Sequence, residues 1–520
     1  MNKNLQMVYT YHNETKHSAQ KYAKSLGYMD WETQPNPYRY YENSEQTVLP
    51  LSFDNVTLPY KEIFNEKKSE IAPFCIESIS QFFQFSLGLA AIKKAGDQSW
   101  DLRCNASSGN LQPTEAYIIC DGIDSINNGL HHYNVENHNL ELLCSNKSKL
   151  TIPNNSFLIS LTSIIWREAW KYGERSWRYT QLDCGHALRA LEISAFMLGW
   201  EIELVNTSED ELNDLLGLNQ ENRYMKEELE NSDMLFIISK KTVSNNINIQ
   251  ELRNCFEKEY NGKANHLSES WHKWDILKQI DIACKKEKKE ISEEKRIFNN
   301  HRNDTYESKD IVLNRRSAQR MDINNSKITF NEFEILIASV SSSLNRDKPS
   351  VNLVLFIHNV EGLDSGIYIL VRNIFHKHSL MSQFKDEFLW QDINLNEGKL
   401  YLLRKGDYKV LSKTISCNQD IASHGAFSIG MLAQFDEQLI AYDAHRYKEL
   451  YWECGAIGQQ LYLEATSLNL SATGIGCYLD DLFHGVLGLE NSSFQSLYHF
   501  TIGRSILDNR LTTLKPYDNR

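Results

Sequence analysis

Four stretches of this sequence combine residue types that suit ligand binding or proton transfer. The run Asn105 to Glu115 sets Ser107, Ser108, Gly109 and Asn110 side by side ahead of Pro113. Such a loop of small residues can bring backbone N–H and C=O groups against a flat polar heterocycle. The same residues also make a plain turn before an apolar strand. Arg315, Arg316 and Ser317 offer two forked guanidinium groups and a hydroxyl, which suit a terminal phosphate. They equally suit a solvated basic turn. Gly474, Ile475 and Gly476, between Thr473 and Cys477, allow close backbone approach to a ligand, or a simple loop after a helix. The spacing is not that of the dinucleotide-binding fingerprint, which needs a third glycine and a following helix. Trp170 to Tyr179 packs cations, aromatics and Glu174 together. Within it, adjacent Lys171 and Tyr172 can act as acid and base if a pocket shifts their pKa values. Otherwise the segment is amphipathic, with aromatics in the core and charges in water.

His131, His132 and His138 cluster without cysteine or carboxylate at ligand spacing, so a metal centre is not expected. Cys184 and His186 have no evident third orienting group, so His186 reads as a packed histidine rather than a catalytic base. The ten cysteines are dispersed with no two-residue spacing. They read as buried thiols of a reducing compartment. The residues from Met1 to His17 are polar, with no signal-peptide core, and no apolar run reaches the ~18 residues of a membrane span. A cytoplasmic protein is expected, with neither membrane nor nucleic acid as partner, since the net charge is −13.

The 520 residues, 41% of them hydrophobic, must supply the elements that position these segments. Helical periodicity is visible at Ile76 to Lys94, Gly185 to Leu198 and Trp452 to Leu468. Strand-like runs lie at Ala116 to Cys120, Met234 to Ile238, Leu353 to His358, Gly366 to Val371 and Tyr498 to Ile502. This mixture predicts α+β layers. The charge-rich residues 285–310 read as a linker. Across it the sequence repeats weakly in one order. Lys16 to Lys21 echoes Arg315 to Arg320, Asp183 to Ala187 echoes Glu453 to Ile457, and Leu215 to Leu218 echoes Val486 to Leu489. A duplicated unit is the economical explanation, with halves at residues 1–284 and 311–520.

Together these segments resemble the nitroreductase superfamily, and most nearly its SagB-type dehydrogenases, which include azoline oxidases. Ala106 to Glu115 looks like that group's proline-serine-serine-glycine element, with Ala106 in place of proline. Lys171 to Arg175 looks like its lysine-tyrosine motif, and Asp183 to His186 like the acidic segment after it. Arg315, Arg316 and Ser317 look like a phosphate-binding start. Thr473 to Asp481 and Thr501 to Arg504 look like the late flavin-contacting loop and final basic residue. The stretch Gly27 to Pro37 looks characteristic of a two-half subgroup.

The resemblance implies two tandem FMN-dependent nitroreductase-like domains forming an intramolecular pseudo-dimer. It implies one complete FMN site built from Ser107, Ser108, Gly109 and Asn110 of the first half with Arg315, Arg316, Ser317, Gln319, Gly474, Ile475, Gly476 and Arg504 of the second. Gln319 stands where the family often has a basic residue, so the phosphate would lean on Arg315, Ser317 and Arg504. The mirror site would need Lys16, His17 and Ser18 with Lys240, a glycine loop near Gly199 to Glu201, and a serine loop at Asn345 to Pro349, and its residues are unsuitable. Lys171 and Tyr172 are the implied catalytic pair. The expected activity is hydride transfer between flavin N5 and a peptide or small-molecule substrate. An NAD(P)H-dependent nitro or quinone reductase and a non-catalytic flavin-sequestering protein are the alternatives. A monomer is expected, because the pseudo-dimer removes the family's reason to dimerise.

Overall fold

The apolar runs at Ala116 to Cys120 and Leu353 to Ile357 lie near the centres of two seven-stranded sheets. The computed structural model describes residues 2–51, 58–64, 70–288, 306–342 and 348–518. The first sheet contains β1 (Glu45–Val48), β2 (Thr114–Cys120), β3 (Gly129–Asn134), β4 (Asn139–Ser145), β5 (Ser156–Ser163), β6 (Glu201–Leu204) and β7 (Asn231–Ser239), in the order β1-β4-β3-β2-β5-β7-β6. The second contains β8 (Val351–Ile357), β9 (Gly366–Leu370), β10 (Gln391–Ile393), β11 (Leu400–Lys405), β12 (Phe427–Gln434), β13 (Ser471–Ile475) and β14 (Phe494–Gly503), in the order β10-β11-β9-β8-β12-β14-β13. Every ladder in both is antiparallel. Apart from the edge strands β1 and β10, the two sheets trace the same path.

The helices repeat that correspondence. After β5 the chain forms a short helix, Ile165–Tyr172, and then the long α1 (Ser176–Met197) before β6. After β12 it forms Phe435–Tyr442 and the long α2 (Arg446–Ser467) before β13. The two long helices pack directly on each other at the glycines of the repeated Cys-Gly pair. A Cβ on Gly185 would sit 2.3 Å from the Trp452 carbonyl oxygen, and one on Gly455 would sit 2.1 Å from the Leu182 carbonyl oxygen. Only hydrogen fits at either position, so the backbones approach closely. Both helices are buried almost throughout, against one sheet and against each other. Trp177 stacks on Tyr447 with ring centroids 5.2 Å apart, and Tyr11 meets both rings edge-on.

Two segments bind the halves further. The N-terminal helix Lys3–Glu14 reaches the second half through His12, which bonds Tyr447 and Gln495. The tail strand Thr512–Leu514 pairs with Leu89–Ala95, the first strand of a hairpin with Gln98–Arg103. Tyr517 is buried, accepting from the Leu89 N–H and donating to the Val135 carbonyl. The hairpin runs straight into the serine loop, so the tail buttresses that loop.

Two elements differ from the sequence expectation. The helix expected over Ile76 to Lys94 ends at Gln84, and Leu89–Ala95 is a strand. The Leu87 and Gly88 N–H groups both turn back to the Phe83 carbonyl, and a Cβ on Gly88 would lie 2.8 Å from Gln84. Thr473 to Ile475, expected as loop, belong to edge strand β13. Within the expected linker, residues 289–305 lie outside the described residues, and the helix Ser308–Asn314 begins before its expected end. Among the described residues no helix is long and apolar enough to cross a membrane, and no cluster of metal-ligating side chains occurs. His132 lies buried between Glu115 and Glu141, which raise it to about 9 against the opposing effect of burial.

Candidate active site

A cavity of about 1000 Å³ opens where the serine loop, the start of α1, the segment after Asn314, the end of β13 and the C-terminal tail converge. Ligand pockets commonly span roughly 300–1,000 Å³. Ser107, Ser108, Gly109, Asn110, Lys171, Tyr172, Arg315, Arg316, Ser317, Gln319, Gly474, Ile475 and Gly476 all line it. Residues more than 300 positions apart thus face one space.

The serine loop is held from below by a carboxylate. The Ser108 N–H and Oγ both donate to Asp183 on α1, at 2.9 and 2.8 Å. Gly109 and Asn110 take positive φ values of 59° and 58°. A Cβ on Gly109 would lie 2.7 Å from the Tyr172 hydroxyl and 3.0 Å from Lys171 Nζ. The loop therefore sits directly on the Lys-Tyr pair, and this glycine is required by both dihedral angle and space. Tyr172 meets Tyr179 edge-on at 4.6 Å. Burial, then the nearby Glu168, pushes the Tyr172 phenol well above its usual value, so it keeps its proton at neutral pH.

Behind the loop, Asp183 faces Glu168, one turn before Tyr172. Burial raises Asp183 to about 7 against its serine hydrogen bonds, and burial with the Asp183 charge raises Glu168 well above the carboxylate range. Both Glu168 carboxyl oxygens are buried without a hydrogen-bond partner, so burial keeps this side chain protonated. Sequence reading placed Asp183 in a motif but missed Glu168, since neither spacing nor composition joins residues on two different helices. Asp183→Ala should lower the thermal unfolding temperature, because the Ser108 N–H and Oγ lose their acceptor at a cost of about 1–3 kcal/mol. An unchanged unfolding temperature would mean that the loop does not depend on this carboxylate.

The opposite wall is cationic. Arg315 stacks over the Tyr462 ring at 5.1 Å and donates from Nε and Nη2 to the Cys104 and Arg103 carbonyls. Its buried Nη1 has no partner. Arg316 Nη1 donates to the Leu313 and Arg315 carbonyls. Among the described residues neither guanidinium meets a carboxylate. Burial, then Arg315, lowers Arg316 to about 10. Lys93, missed in the sequence, also lines this wall, and burial and Arg316 lower its pKa. Ser317 Oγ bonds the Tyr462 hydroxyl at 2.8 Å, and that hydroxyl also accepts the Gly474 N–H at 2.8 Å. A Cβ on Gly474 would lie 1.7 Å from the Tyr498 hydroxyl, and one on Gly476 would lie 2.4 Å from Tyr179. Bare backbone lines the cavity at both.

Several expectations need correction. The Arg504 side chain is outside the cavity lining, because Glu332 draws Nη2 to 3.1 Å and the Lys327 carbonyl accepts from Nε. His17, expected at a mirror phosphate site, lines this same cavity. Lys240 instead covers the Phe74 ring at 4.8 Å, and Trp200 is fully buried in the core. A smaller cavity of about 700 Å³, lined by Leu204, Ser350, His445 and Arg446 among others, occupies the topologically equivalent place. Of the expected mirror serine loop, residues 345–347 lie outside the described residues. His186 lines the main cavity, bonded to Gln459 and Tyr498, while Cys184 on the same helix turns to Asp233, so the two form no catalytic pair.

Comparison with known proteins bears on the fold. Curated proteins gave no match. A nitroreductase-type structure from Ralstonia eutropha is 14% identical, covering 38% of this chain and 82% of its own, with a TM-score of 0.27. A chain of the E. coli microcin synthetase McbBCD complex, solved with truncated pro-MccB17 bound, is 16% identical over 37% of this chain and 70% of its own, with a TM-score of 0.28. A nitroreductase-type structure from Anabaena variabilis is 20% identical with a TM-score of 0.69, and it covers 96% of this chain and 99% of its own. The family model described as the nitroreductase family matches residues 376–504. Residues 376–504 are thus a nitroreductase-family domain, in a chain that shares the fold of a nitroreductase-type protein over nearly its whole length.

Proposed function

We propose that the cavity binds one FMN per chain and that the protein is an FMN-dependent oxidoreductase of the SagB-type dehydrogenase kind. It would exchange hydride with a peptide or small-molecule substrate. The observation that carries this reading is the adjacent guanidinium groups of Arg315, buried, and Arg316, half-buried, with no carboxylate partner among the described residues. Buried charge without a counter-ion is costly. A phosphate entering the cavity would meet the free Arg315 Nη1, Ser317 and Lys93. Arg504, turned to Glu332, has no part in it.

The flat end of the ligand would lie where Gly474 and Gly476 leave backbone exposed, with Ser107, Ser108, Gly109 and Asn110 along its edge. The unpartnered buried Asn105 Oδ1 adds an acceptor on the same wall. The flavin supplies the hydride chemistry at N5. Lys171 Nζ and the protonated Tyr172 hydroxyl, both against Gly109, move the accompanying proton. Asp183 holds the loop in place over this pair. The halves act as an intramolecular pseudo-dimer of residues 1–284 and 311–520 joined by 285–310, in a cytoplasmic monomer. NAD(P)H is a candidate co-substrate.

The test is the visible absorption spectrum of the purified protein, followed by the flavin released on denaturation. One FMN per chain is expected. A colourless protein that also fails to bind added FMN would overturn the reading.

A further inference from the structure

Two cysteines 60 positions apart meet on the rim of this cavity. Cys477 follows β13, and Cys417 lies in the turn after the helix Lys409–Ile415. Their sulfur atoms are 2.6 Å apart. That is inside any non-bonded sulfur contact and within about 0.6 Å of an S–S bond. Gln419 Nε2 donates to the Cys477 carbonyl at 3.2 Å and ties the two segments together. Cys417 and Asn418 both adopt positive φ, 52° and 60°, which non-glycine residues usually avoid. Seven of the other cysteines are fully buried, whereas Cys417, Cys477 and Cys75 are partly exposed.

The surroundings distinguish the two thiols. The Ala23 N–H donates to His17 Nδ1 at 3.0 Å, so the proton of a neutral His17 ring must sit on Nε2. His17 lines the same cavity as Cys477 and favours its thiolate. The Arg175 guanidinium, which donates to the Gly476 carbonyl and to Asp480, adds positive charge beside it. Tyr22 stands beside Cys417. Hydrogen bonding from Cys417, then His17 and Arg175, holds the Cys477 thiol well below its usual value against burial, while the same contact pushes Cys417 up.

We propose that Cys477 and Cys417 form a thiol–disulfide exchange site that acts on low-molecular-weight disulfides entering the cavity. The Cys477 thiolate attacks one sulfur of the substrate, forms a mixed disulfide and expels one thiolate. Cys417 releases its proton to solvent and attacks Cys477 Sγ, expelling the second. The two protein thiols are oxidised to one disulfide, and the substrate disulfide is reduced to two thiols. Excess small thiol drives the same steps in reverse. This site shares the cavity of the flavin reading, but neither its thiol chemistry nor its test depends on bound flavin.

The experiment uses the reduced full-length protein with glutathione disulfide, followed by peptide mass mapping. Wild type should yield a Cys417–Cys477 cross-link without retained glutathione. Cys417→Ser should retain one glutathionyl group on Cys477. Iodoacetamide at about pH 6 should alkylate Cys477 about tenfold or more faster than Cys75 in the Cys417→Ser protein, because only the thiolate reacts. His17→Ala should cut that rate severalfold, and circular dichroism checks that each variant folds. A wild-type protein with no 417–477 cross-link, or a Cys477 alkylated no faster than Cys75, would overturn the proposal.

Discussion

Gly455→Val should cost at least about 3 kcal/mol of stability, read as a lower midpoint of denaturant unfolding. A Cβ there would meet the Leu182 carbonyl oxygen at 2.1 Å and Gly185 Cα at 2.8 Å. Both obstacles are backbone of α1, so no rotamer change relieves the clash. The two long helices would have to separate, and they carry the packing between the sheets. Trp452 Nε1 bonds Gln181 at 2.7 Å across that contact, and Arg189 bonds Gln460. Lys448 is buried there with Glu209 at 3.1 Å, which would be left partly unpaired by any separation. Gly485→Ala is the control. It lies in a helix with nothing within 4 Å of a Cβ, and it should be neutral or stabilising by up to about 1 kcal/mol. Equal midpoints for Gly455→Val and wild type would show that the helix contact is looser than described.

The same contact explains how much of the fold was readable. Both glycines of the repeated Cys-Gly pair stand where only hydrogen fits, so the repeat marked the two matching helices. Central strands such as β2 and β8 are buried on both faces and carry the apolar runs Ala116 to Cys120 and Leu353 to Ile357. The edge strand β13 has Ser471 and Gly474, and nothing in it announces a strand. Ile76 to Lys94 misled because helix and strand follow each other with only a four-residue turn, both rich in apolar residues. The cavity lining was legible where one short motif carries it, as at Ser107 to Asn110 or Arg315 to Ser317. It was illegible where two distant groups make the feature. Glu168 gains its meaning from Asp183, and Cys417 from Cys477. Arg504 is the converse: its motif is intact, but Glu332, a capping residue of another helix, holds its side chain outside the cavity lining.

Lys171→Ala and Tyr172→Phe should each leave FMN content unchanged and lower turnover by about 10²- to 10⁴-fold, the usual contribution of a positioned acid or base. Flavin released on denaturation gives the first quantity. NAD(P)H oxidation with a quinone or nitroaromatic acceptor gives the second. The phosphate wall, Arg315 to Ser317 with Lys93, is formed by other elements, so binding should not follow the loss of either side chain. Tyr172→Phe removes only the hydroxyl and keeps the ring that meets Tyr179, so packing is preserved. Its phenol is held protonated by burial, which makes it a proton donor rather than a base. Lys171 lies over the Tyr172 ring, with Nζ 5.3 Å from its centroid, so removing Lys171 also removes a charge that this ring stabilises. A fall in flavin content with turnover per bound flavin preserved would make the pair part of the binding wall. Full turnover in both variants would remove them from the chemistry.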